Sequence, residues 1–159
     1  MRTLSALLRV AILPALLAVA IAAPAVVAAV EPATEATVIS GTGTLAAKGS
    51  GYARIAGSYV LTGSMDGGWL KVSGVTPYTV VRVTGWTSKT RLADGSLIFR
   101  GVHGSFSIAG RTIATTISSP LTRFVAKGHG RAYLSGDGIY YANGRGPFRW
   151  SDGGSHSAF

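Results

Sequence analysis

Acid–base or metal chemistry in this chain of 159 residues must be drawn from six carboxylates and three histidines. The aspartates are Asp66, Asp94, Asp137 and Asp152, and each is followed by glycine. Asp-Gly is a turn-forming dipeptide, so turn formation explains that spacing without invoking a pair of catalytic carboxylates. The two glutamates, Glu31 and Glu35, fall in a short stretch rich in small residues. His103 and His129 each precede a glycine that opens a similar short strand, which gives them equivalent places in two strands. The chain has no cysteine and no His-x-x-x-His spacing, so no metal set is expected. A serine nucleophile needs an activating base, commonly on a recognisable turn, and neither Gly-x-Ser-x-Gly nor Ser-x-x-Lys occurs. Gly41-Thr42-Gly43 and Gly128-His129-Gly130 resemble fragments of phosphate loops, but no helix follows either one, and both read as strand bends. The expectation is a domain without catalytic residues or a cofactor.

Binding chemistry is better represented. Two of the 15 basic residues, Arg2 and Arg9, lie at the extreme N-terminus. That leaves 13 against six acids, a net charge of +7 beyond residue 30. Nine of the 13 are arginines, scattered through the chain. A surface of that sign attracts anionic partners at long range, with a strength that salt reduces. Tyr52 and Tyr133 fall at outward positions of predicted strands, close to Arg54 and Arg131. Exposed rings stack on sugars, and arginine pairs with carboxylates or stacks. Tyr52, Arg54, Arg82, Arg131 and Tyr133 are therefore the candidate contact residues. The alternative reading is that the tyrosines pack as core or rim and the arginines only keep the domain soluble.

These residues must be held by sheet. All 22 glycines lie between Gly41 and Gly154, and a glycine inside a helix costs about 1 kcal/mol relative to alanine. No helix of ordinary length fits between them. Tyr52–Ile55, Trp69–Val72 and Ser105–Ile108 alternate polar and apolar, the period of a strand with one covered face. Asp66-Gly67, Asp94-Gly95, Asp137-Gly138 and Asn143-Gly144 are expected at hairpin turns.

Residues 47–57 and 126–136 repeat one another, with Ala47, Lys48, Gly49, Gly51, Ala53 and Gly57 recurring as identical residues in the second copy. Gly104–Gly110 and Gly68–Gly74 are weaker copies of the same unit, a short strand between two glycines. The copies start at unequal intervals, which predicts an all-β fold with a single antiparallel barrel or sandwich; the alternative is a short β-solenoid or β-helix.

The N-terminus carries a different message. Arg2 and Arg9 precede an uncharged run from Val10 to Val30 that ends in small residues, the pattern of a secretory signal helix. The run is also long enough to serve as an uncleaved signal-anchor. The expected organisation is a signal segment over 1–29, a flexible linker over 30–37, an all-β domain over 38–151 and a polar tail over 152–159. Export makes the expected partners an anionic envelope polymer, a glycan or a lipid surface, and nucleic acid is not expected. The leading function is a non-enzymatic β domain bound to a bacterial cell envelope. The alternatives are a self-assembling envelope protein that associates through a strand edge, and a small hydrolase with a site built from turns. Mass spectrometry of the protein recovered from culture fluid, membrane and wall fractions is expected to find a chain beginning at Val26 or Val30. An intact N-terminus confined to membranes would point to the anchor.

Overall fold

The computed structural model describes residues 43–150 and 155–159; the stretches read as a signal segment and a linker, and the start of the C-terminal stretch, lie outside them. The described residues contain no helix and form one antiparallel sheet of eight strands. Two strands dominate it: β1, Gly43–Asp66, and β6, His103–Ala142. Between them come β2 (Trp69–Ser73), β3 (Val80–Val83), β4 (Ser88–Arg91) and β5 (Leu97–Arg100), and after them β7 (Arg145–Arg149) and β8 (Ser155–Ala158). The hydrogen-bonded path runs β1-β6-β2-β5-β4 and ends at β4, while β3, β7 and β8 also pair with β6. Every pairing is antiparallel, unlike the same-direction stacking of a parallel β-helix.

The glycine-bounded units of the sequence are not all separate strands. Three of the four copies are stretches of β1 or β6, and Gly68–Gly74 alone frames a strand of its own, β2. One edge of β1 pairs without interruption with residues 122–142, from Met65↔Thr122 to Leu45↔Ala142. Its other edge pairs with residues 103–128 in three stretches. Residues 122–128 therefore lie between two parts of the same strand, with Leu45 and Leu61 both opposite Ala126. The ribbon coils tightly enough for β1 to flank one segment of its partner twice.

Two points of close backbone approach permit that coil. Gly49-Ser50-Gly51 faces Gly136-Asp137-Gly138, and Gly57-Ser58 faces His129-Gly130. At the first crossing Gly51 and Gly136 are directly paired, both with positive φ (120° and 126°). A Cβ on Gly51 would lie 2.9 Å from the Gly136 Cα, and one on Gly136 would lie 3.0 Å from the Gly51 Cα. Only residues without a side chain fit both the spacing and the backbone angle. Asp137-Gly138 was expected at a hairpin turn, but here it continues β6 because Gly138 is needed against Gly49. Asp94-Gly95 and Asn143-Gly144 do lie at hairpin turns, between β4 and β5 and between β6 and β7, whereas Asp66-Gly67 leads from β1 into β2, two strands that pair with β6 and not with each other.

The second edge of β1 turns its corners with bulges. Tyr59↔Gly110 is followed by Gly57↔Ile113, and Gly51↔Ser119 by Gly49↔Thr122, so β6 carries one extra residue at each corner. Each insertion reverses the parity of the inward positions. Phe106 and Ile108 face the core before the first corner, Ile113, Thr115 and Ile117 after it, and Thr122, Phe124 and Ala126 after the second. Thr112 takes a positive φ of 54° at the first corner. At the second, Pro120 cannot donate to a ladder, and the Ser119 hydroxyl takes over by donating to the Leu121 carbonyl at 2.7 Å.

Inside the coil, β1 contributes Leu45, Ala53, Ile55, Tyr59, Leu61 and Met65. Small and large residues complement one another across the ribbon, Ala53 facing Leu134 and Ile55 facing Ala132. Tyr59 is the largest fully buried side chain, and its hydroxyl bonds both the Ile55 carbonyl and the Thr115 hydroxyl at 2.9 Å. Within the stretch read as a polar tail, β8 pairs with Arg131–Leu134, and Phe159 is buried with its ring 6.4 Å from that of Tyr59.

Two measurements test this architecture. Gly51→Ala introduces both a steric conflict and a strained φ, and is expected to lower unfolding free energy by about 2–4 kcal/mol in chemical denaturation. Burial pushes the Tyr59 phenol up to about 12 from 10.0, opposed by its hydrogen bonds to Thr115. Below pH 10 this group is neutral in both states and its contribution is intact. As pH rises from 10 towards 12, the unfolded chain ionises first, so this part of the stability is lost. Tyr59→Phe should remove the last tyrosinate component from an ultraviolet pH titration and lower stability by about 1 kcal/mol.

Candidate functional site

The outward positions of the coiled ribbon alternate with the core: even-numbered residues on β1 and odd-numbered residues on the 122–142 arm. This pleat brings four of the five predicted contact residues onto one surface. Arg54 is directly opposite Tyr133, Tyr52 is opposite Ser135, and Ala56 is opposite Arg131. The rings of Tyr52 and Tyr133 meet edge to face, with centroids 6.1 Å apart and planes at 69°. Both tyrosines are half-buried, whereas Arg54 and Arg131 are exposed. Packing one ring edge against the other fixes the aromatic pair and leaves the two arginines beside it exposed to water.

The placement follows from the internal repeat. The two copies run antiparallel against each other, so Gly51 meets Gly136 and Gly57 meets Gly130. Tyr52 and Arg54 on the first copy are answered by Arg131 and Tyr133 on the second, in reversed order along the strand. The repeat makes Tyr52 equivalent to Arg131 and Arg54 equivalent to Tyr133, so each copy contributes one tyrosine and one arginine to the surface.

Arg82 does not join this group. It is exposed on β3 opposite Ser107, alongside the part of β6 that pairs with Val60–Gly63. Its alternation was legible in the sequence, but the pairing of β3 was not. Other residues extend the surface across the sheet. Arg54 is followed across the strands by Thr116 and Lys71, and Tyr52 by Ser118, Trp69 and Arg100. Trp69 and Lys71 hold the outward places of the weakest repeat copy, which is where strand alternation in the sequence puts Trp69.

The nearby acids mark the limits of this basic surface. Asp137 is exposed opposite Ser50, two residues along β1 from Tyr52. Asp94 accepts a hydrogen bond from the Ser96 backbone N–H at 2.9 Å. That bond, with a smaller contribution from the Lys71 charge, holds its carboxyl below the usual aspartate range. Among the described residues, neither Arg54 nor Arg131 has a carboxylate within salt-bridge distance.

One pair of residues bears on catalysis. His103 Nδ1 and Asp66 Oδ1 are 2.7 Å apart, and both side chains are mostly exposed, at 67% and 72%. The contact ties the end of β1 to the start of β6. A His–Asp pair can orient an imidazole as a base. Here, among the described residues, no serine or threonine hydroxyl bonds to the other ring nitrogen. His129 is elsewhere, opposite Ser58. No cluster of three metal-ligating side chains occurs among the described residues.

Comparison of the chain with protein-family models, with curated proteins and with solved structures finds no match in any of the three.

Proposed function

We propose that this chain is an exported, non-enzymatic β domain that binds an anionic or glycan component of a bacterial cell envelope. The observation that carries this reading is the exposed pair Arg54 and Arg131 flanking the Tyr52–Tyr133 ring pair, without a carboxylate partner among the described residues. An edge-to-face aromatic pair offers a rigid surface for stacking at little entropic cost. Flanking guanidinium groups supply two-pronged hydrogen bonds to carboxylate, phosphate or sulfate. Lys71, Trp69 and Arg100 widen the same surface to a size suited to a polymer segment. The net positive charge beyond residue 30 and the signal-like N-terminus support the compartment and the sign of the partner.

The same reading takes the coiled ribbon as a barrel-like support rather than a sandwich, because residues 122–128 are flanked on both sides by β1. The self-assembly alternative is weaker. The sheet path ends at β4, whose Lys89 and Arg91 are exposed and would repel their counterparts in an antiparallel self-pairing. The hydrolase alternative rests on the His103–Asp66 contact alone.

Binding to isolated cell wall and to anionic lipid vesicles, measured by co-sedimentation of residues 38–159, tests the proposal. Retention by at least one of these at low salt is expected, with progressive release as salt rises. The double variant Arg54→Glu/Arg131→Glu should lose about tenfold or more in affinity while keeping its far-ultraviolet spectrum. Retention of the parent protein by neither material would reject the proposal, as would undiminished retention of the double variant.

A further inference from the structure

Beyond the Tyr52–Tyr133 surface, the same outward face of the ribbon carries a groove. It lies where four segments run side by side: 138–142, 43–49, 122–128 and 59–65. Two rows cross these segments. One is Tyr141, Ala46, Val125 and Thr62; the other is Ile139, Lys48, Arg123 and Ser64. The first row is apolar except for the threonine at its end, and small Ala46 leaves the floor low beside Tyr141. The second places two cations side by side, since Lys48 is directly opposite Arg123. The resulting hollow has a volume of about 570 Å³, and no carboxylate lines it. That volume is in the range of small-molecule sites.

Three features give the hollow a chemical preference. Ile139 and Tyr141 remain 43% and 42% exposed, large apolar surfaces held in water beside the groove. Arg123 is held across the ribbon, its Nε donating to the Ser64 hydroxyl at 2.9 Å. Lys48 and Arg123 also line an adjoining hollow of about 350 Å³ that contains Leu121, Met65 and Asp66, whose carboxylate is held by His103 at 2.7 Å. The cations thus stand at one side of an apolar trough that crosses three strand spacings, about 14 Å. A ligand matched to this arrangement has one anionic head and a slender apolar body long enough to lie across the strands. A sugar would leave the apolar floor unused, and a compact inorganic anion would leave Ile139 and Tyr141 in water.

We propose that this groove is a binding site for a single-chain acyl carboxylate, its head paired with Lys48 and Arg123 and its chain laid over Ala46 and Val125 towards Tyr141. The site is separate from the Tyr52–Tyr133 surface. The Gly49-Ser50-Gly51 crossing lies between them on β1, and the groove does not depend on the envelope-binding reading.

The experiment is a titration of residues 38–159 with dodecanoate below its micellar concentration, followed by amide chemical shifts and calorimetry. Saturable binding is expected, with the largest shifts at residues 46–48, 123–125 and 139–141. Dodecyl trimethylammonium, with the same tail and the opposite head charge, and acetate, with the head alone, should each bind at least tenfold more weakly. Lys48→Glu and Val125→Asp should each reduce dodecanoate affinity about tenfold or more. Both positions face outward, and thermal melts of each variant check that the fold is retained. Arg54→Glu/Arg131→Glu should bind dodecanoate as the parent does, which separates this site from the polymer surface. Equal binding of the cationic amphiphile, shifts centred elsewhere, or no saturable shift would overturn the assignment.

Discussion

Backbone contact between paired glycines is the constraint on which the rest of this fold depends. A two-stranded ribbon as long as β1 against residues 122–142 twists, and it can coil into a compact body only where its backbones approach closely. The two crossings, at Gly49-Ser50-Gly51 with Gly136-Asp137-Gly138 and at Gly57-Ser58 with His129-Gly130, provide that approach. Between them the chain is ordinary strand with one covered face. The glycines are thus structural hinges of the coil, and their density reflects how often the ribbon must bend within one small domain.

The bulges solve the complementary problem on the other edge. A coiled strand presents a longer path on its outside than on its inside, so the strand wrapped around it needs extra residues. β6 supplies one at residues 111–112 and one at residues 120–121. Each also changes which parity points inward, and the apolar pattern of β6 changes with it. Sequence and geometry agree at both corners, as expected when local patterning and global fold are selected together. Core packing follows from that agreement, including the placement of Tyr59 where Thr115 and the Ile55 carbonyl can satisfy its hydroxyl.

The outward face inherits its chemistry from the same alternation. With the apolar residues turned in, the polar and aromatic ones of each repeat copy are displayed, and the antiparallel meeting of two copies doubles the display. Arginine and tyrosine face water as a consequence of the pattern that makes the core. The neighbouring groove arises differently, because β1 flanks residues 122–128 twice and so sets Lys48 beside Arg123 and Ala46 beside Val125.

Much of this was determined by the sequence alone. The glycine spacing excluded helices, the period-two runs set which of Tyr52, Ala53, Arg54 and Ile55 face inward, and the repeat identified Arg131 and Tyr133 as counterparts of the first copy. Those are local properties, fixed by backbone conformation and by the partition of side chains between water and core. Only the tertiary structure decided that Asp137-Gly138 continues a strand, that Arg82 stands apart, that Asp66 meets His103, and that Leu45 and Leu61 share Ala126 as a neighbour. These depend on which distant segments pair. Pairing is set by the register and coil of the whole ribbon, a long-range property that alternation along one segment does not encode.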